Sequence, residues 1–166
     1  DQGKYQAVEP LLKQALAIWE KKPDHNQMYA VSALNILAEL YCKQGRYGEA
    51  GPFYEQSLMI AEMLLGRDHA DIAARLNTIA TYYIMHTPEI ARAISLLKRS
   101  IEIYEKTHGP DHPEIAHAYN SLATAYRCQG NQEDTEAHLL RALELYQQHF
   151  GPDHPDVAMI CNNLCT

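Results

Sequence analysis

The chain has 166 residues, 46% of them hydrophobic, with 14 basic against 21 acidic side chains and a net charge of −7. That is enough chain for a single domain with its own core, and the acidic balance argues against nucleic acid or an anionic membrane as the main partner. No run of 18 apolar residues suggests a membrane span, no basic-then-apolar leader suggests secretion, and four cysteines without a Cys-x-x-Cys pair suit reduced thiols in the cytoplasm.

The sequence repeats. Asn35, Asn77, Asn120 and Asn162 are spaced 42, 43 and 42 residues apart, each inside a similar stretch. The clearest copy runs from Gly109 to Gly130, and self-similarity at this period predicts a stacked repeat array. Taken in order, residues 1–22 are predicted as the second helix of a partial unit, and 23–65, 66–108 and 109–150 as three whole units. Residues 151–166 are predicted as the first helix of another partial unit, giving about eight helices in all.

Each unit reads as helix, tight turn, helix. In the third, Ile115, Ala116, Tyr119, Leu122, Ala123 and Tyr126 recur at three and four residues, and so do Leu139, Ala142, Leu143 and Tyr146 after the turn. Asp111 is placed to cap the first helix with Glu114 completing a capping box, and Asp68 with Asp71 and Asp153 with Asp156 repeat the pattern. Gln129-Gly130 is the stop signal. Pro10 and Pro52 share one repeat position, where a bend is expected rather than a break. Trp19 is expected to stack on the next helix. Two loops depart from the pattern: residues 22–27, and His86-Thr87-Pro88, which lacks the Gln-Gly and is one residue longer. Ala38, Ala80 and Ala123 mark a matched site of close helix approach.

These residues carry a resemblance. Leu34-Asn35, Leu37-Ala38, Tyr41, Gln44-Gly45, Tyr47 and Glu49-Ala50 are similar to the tetratricopeptide repeat in its 42-residue, kinesin-light-chain-like form, and Leu122-Ala123, Tyr126 and Gln129-Gly130 match it again. The resemblance covers nearly the whole chain. It implies an all-α, right-handed superhelical solenoid of antiparallel helix pairs. It also implies that first helices line a concave groove, where the repeated Asn can bind a peptide backbone. A hydrogen bond tying neighbouring units together is an equal reading of the same Asn.

Projecting from the Asn position at helical spacing gives one stripe. It holds Ser32, Asn35, Glu39 and Lys43; Ala74, Asn77, Thr81 and Met85; His117, Asn120, Thr124 and Arg127; and Met159 and Asn162. Its formal charge is +1, which suits a polar or acidic peptide.

No catalytic constellation is found. The Asp-His pairs at 68–69, 111–112 and 153–154 have residue types that suit zinc. They lie a repeat apart, however, about 10 Å if units stack as helix layers, so helix capping is the stronger reading. Cys161 and Cys165 share a helix face without a third ligand. The expectation is a non-enzymatic, cofactor-free scaffold that binds a peptide or partner protein, as in kinesin-light-chain-like cargo or adaptor recognition. The alternative is a self-associating or autoinhibitory array serving a catalytic or signalling domain elsewhere in a longer chain.

Overall fold

A computed structural model describes residues 2–20 and 27–165 and shows eight helices and no strand among them. In order they are α1 (Gln2–Glu20), α2 (Gln27–Lys43), α3 (Tyr47–Leu65), α4 (Ala70–His86), α5 (Ile90–His108), α6 (Pro113–Cys128), α7 (Gln132–Phe150) and α8 (Pro155–Leu164). They form two compact units, Asp1–Arg67 and Asp68–Thr166. The irregular loop expected near residue 22 lies outside the described residues, apart from Gln27.

In the first unit α2 packs against both α1 and α3. Its apolar residues Val31, Leu34, Leu37, Ala38 and Tyr41 fall on one side at helical spacing and are buried. The α3 hydroxyl of Ser57, itself buried, donates to the Val31 carbonyl at 3.2 Å. Trp19 on α1 stacks on Tyr29 of α2 at 6.2 Å. Pro10 and Pro52 both lie inside continuous helices.

In the second unit α4 pairs with α5 and α6 with α7. The first helices α4 and α6 also touch, α5 packs on α6, and α7 packs on α8. Ser100 repeats the Ser57 contact, donating to the Ala73 carbonyl at 2.8 Å. Ala38, Ala80 and Ala123 are all at most 1% exposed, so the matched small-residue site is interior in both units. A methyl side chain is what allows the backbones to approach there.

Turns within the helix pairs follow from Gly. After α6 the Asn131 amide donates to the Tyr126 carbonyl at 3.1 Å, the six-to-one bond of a Schellman motif. Gly130 sits at φ 74°, which a side chain would strain. The turn after α4 has no such Gly. There the Thr87 hydroxyl donates to the Tyr83 carbonyl at 3.0 Å and accepts from the Glu89 amide at 3.1 Å. Glu89 itself is the residue preceding the first turn of α5, so Thr87 supports that helix start without being its cap.

The helix starts correct one expectation. The N-caps of α4, α6 and α8 are His69, His112 and His154, not the Asp that precedes each. Each imidazole Nδ1 accepts the backbone N–H two residues on: Asp71 at 3.2 Å, Glu114 at 3.3 Å and Asp156 at 3.3 Å. The expected capping box needs Glu114 at the third helical position, but with His112 as cap it stands at the second. Asp111 is engaged elsewhere, with Arg141 at 3.2 Å.

Candidate functional site

The stripe projected from the Asn positions is set by the first helices of each unit. On α2, Ser32, Glu39 and Lys43 are exposed and Asn35 is half-buried. The Ser32 hydroxyl turns back onto the Met28 carbonyl at 3.1 Å. On α4, Ala74, Thr81 and Met85 are exposed and Asn77 is half-buried. Thr81 donates to the Asn77 carbonyl at 3.0 Å.

On α6, His117 and Arg127 are exposed while Asn120 and Thr124 are half-buried, and on α8 both Met159 and Asn162 are exposed. The His117 Nδ1 lies 2.6 Å from the hydroxyl of Tyr146, a buried residue of α7. Burial pushes the Tyr146 phenol well above its usual range, so its proton stays on the oxygen and is available to His117.

The side chains of the repeated Asn are not equivalent. Asn120 Oδ1 accepts from Asn163 Nδ2 at 3.4 Å, a contact that joins α6 to α8. The tie is made by the residue after Asn162, whose own side chain is exposed. Asn77 Oδ1 is buried and has no hydrogen-bond partner among the described residues. The Nε of Arg75 on the same helix is also buried and unpartnered, and burial holds that guanidinium below its ordinary pKa. Arg75 stands where the other first helices carry Ala33, Ala118 and Ile160, all buried.

Sequence reasoning passed over Asn163 and Tyr146. The doublet Asn162-Asn163 was the available signal for the first, because Ser121 and Thr78 stand at the position matching Asn163. A cavity of about 320 Å³ adjoins this end of α6, lined by Arg127, Gln132, Thr135, Glu136, Leu139 and Asn163 among others. A smaller one of about 130 Å³ in the first unit is mainly apolar, with Trp19, Leu34, Ile60 and Met63 in its wall. Among the described residues, no group of three or more His, Cys, Asp and Glu side chains could hold a metal ion. None of their helices is long and apolar enough to cross a membrane.

This arrangement of helix pairs, with polar first-helix positions and interior alanines, defines a repeat scaffold. The tetratricopeptide-repeat family model matches residues 28–92 and again 88–148, and the chain belongs to that family. Its members are in general protein–protein interaction scaffolds without catalytic activity. Its structural neighbours include kinesin-light-chain-like arrays. It is similar to BtubC (BKLC) from P. vanneervenii, with a TM-score of 0.84 and 24% identity over 98% of this chain and 65% of that one. It is also similar to a putative kinesin light chain from Podosopora anserina with nearly identical TPR-like repeats, with a TM-score of 0.78 and 26% identity over 98% of this chain and 77% of that one. A more distant likeness is to the N-terminal domain of stress-induced protein-1 from C. elegans, with a TM-score of 0.61 and 16% identity over 86% of this chain and all of that one. The chain thus spans less than two thirds of BtubC. No curated protein sequence matches it.

Proposed function

We propose that the chain is a non-enzymatic scaffold holding an extended segment of a partner protein along its first helices, with α4 and α6 as the principal contact face. The observation that carries this reading is the unpartnered Asn77 Oδ1. A buried acceptor without a donor costs free energy, and Asn is a poor choice for a helix interior unless its amide is used. Asn120 shows one use, the tie to Asn163. Asn77 Oδ1 has none among the described residues, and a ligand's backbone N–H would supply it after a small rotation of the amide.

The surroundings suit a polar or acidic segment. The stripe residues of α4, α6 and α8 include Arg127 and no carboxylate, although the chain as a whole carries −7. Small side chains at Ala74 and Thr81 leave room for a backbone to approach.

The test is to select binding peptides from a random display library on the 166-residue chain, then measure affinity and melting for Asn77→Ala. The expected result is a loss of about two- to tenfold in affinity, the worth of one hydrogen bond, with melting unchanged or raised. Full affinity with lowered melting would assign Asn77 to the fold and reject the reading.

A further inference from the structure

Where α5 ends and α6 begins, three imidazoles converge. The rings of His108 and His112 are 4.4 Å apart, and His112 lies flat against the buried Tyr104 ring at 5.9 Å and 15°. From α7 the His149 Nε2 contacts the Asp111 carbonyl, the residue before the cap. The other corners are built differently. At the position of His108 the neighbouring repeats carry Leu65 and Phe150, and at that of His149 they carry Leu64 and Thr107. At the α7–α8 corner the Phe150 ring stacks on His154 at 4.8 Å, so the cap meets a hydrocarbon ring instead of an imidazole.

The hydrogen bonds fix how each imidazole responds to a proton. The Thr107 hydroxyl has one hydrogen, given to the Ile103 carbonyl at 2.8 Å. Its oxygen therefore accepts from His108 Nδ1 at 2.7 Å. His149 Nε2 faces a carbonyl and must also donate. Both contacts survive protonation of the ring. His112 is the opposite case, because its Nδ1 accepts from the Glu114 amide at 3.3 Å and a proton there destroys the cap. That proton would also set a cation against the positive end of α6.

We propose that this corner is a proton-operated latch: a proton on the His112 Nδ1 displaces that ring from its capping position and frees the first turn of α6. The charged neighbours act in both directions. His108 from α5 and His149 from α7 oppose a charge on His112, while Glu114 favours it. Asp111 is committed to Arg141 of α7, and Asp71 of α4 acts on Tyr104 behind the ring. Burial first, and then His108, hold the His112 pKa below its usual 6.5. Released from the corner, His112 loses the burial that disfavours its charged form and takes up the proton more readily. Opening is therefore favoured as pH falls through about 6.5 and suppressed above it, and each extra proton bound by the open form steepens the dependence by roughly tenfold per pH unit.

The experiment is nitrogen-15 NMR on the 166-residue chain from pH 8 to 5, following imidazole Nδ1 states and the Glu114 amide. The Glu114 amide is expected to shift with the His112 transition. In His108→Phe, which copies the α7–α8 corner, the His112 midpoint should rise by roughly half a unit or more as one cation is removed. In His112→Asp, whose carboxylate caps without an imidazole, the Glu114 response above pH 5 should vanish. His108→Leu, copying Leu65, serves if the Phe variant is misfolded. An unmoved His112 midpoint in the His108 variants would overturn the latch. So would a Glu114 amide that ignores His112, or one that still responds in His112→Asp.

Discussion

The Tyr41 hydroxyl donates to Glu9 at 2.8 Å, joining α2 to α1. The same carboxylate accepts from Lys13 at 2.7 Å and Arg46 at 3.2 Å, and the Arg46 guanidinium lies 4.0 Å over the Tyr41 ring. Arg46 immediately precedes α3, so one carboxylate gathers groups from all three helices of the first unit. The Lys13 and Tyr41 hydrogen bonds lead in holding its pKa at about 2, below the usual 4.5. A depressed carboxylate stabilises the fold fully above its unfolded value, and that stability is lost as pH falls from about 4.5 toward 2. Glu9→Gln should therefore lower the melting temperature at pH 7 and flatten the loss between pH 5 and 2.5. An acid limb identical in parent and variant, followed by circular dichroism, would show that the network is not formed in solution.

Ala123 is 1% exposed. Ala123→Leu should overpack the α6 interior, at a cost of about 1–3 kcal/mol. Ala137 of α7 is exposed, and Ala137→Leu should stay within about 0.5 kcal/mol of the parent. Chemical denaturation of both gives the comparison, and equal effects would refute the helix phase.

Capping by His rather than Asp has its own consequence at α8. His154→Ala removes the acceptor of the Asp156 amide and should cost about 0.5–2 kcal/mol, the usual worth of an N-cap. Asp153→Ala, one residue earlier, should change stability by less than about 0.5 kcal/mol. The reverse order, measured near pH 7.5, would restore Asp as the cap.

The helices were legible because a stacked array writes the same periodicity again and again. Leu34-Asn35 through Ala50 carried the resemblance, and three matched alanines marked the interior. What the sequence did not disclose turns on single-residue rotations and on contacts between distant residues. Asp111 and His112 are adjacent and both polar, and the extended backbone at His112 decides which one faces the helix. Asn162 and Asn163 differ by about 100° around α8, enough to put one in solvent and the other on Asn120. The His117–Tyr146 contact spans 29 residues. Bringing His149 to the Asp111 carbonyl beside the His108–His112 pair needs the packing of α5, α6 and α7, and no pattern within one helix encodes it.

Arg127 offers a test of the ligand's charge that leaves the Asn residues alone. It is exposed near the end of α6 and borders the 320 Å³ cavity together with Glu136 and Gln132. For a ligand of acidic character, Arg127→Glu replaces attraction by repulsion at this end of the face. An exposed pair is worth about 0.2–1 kcal/mol, so reversing the charge should weaken binding by roughly two- to tenfold at low salt. Screening shortens the reach of such charges to about 8 Å at physiological ionic strength and about 3 Å at 1 M. The gap between parent and variant should therefore narrow as salt is raised, while the Asn77→Ala loss, which comes from a short hydrogen bond, should persist. Isothermal titration of a selected peptide at low and high salt separates the two. A charge-reversal effect independent of salt would place Arg127 in the fold of the α6–α7 turn, and no effect at any salt would remove acidic character from the description of the partner.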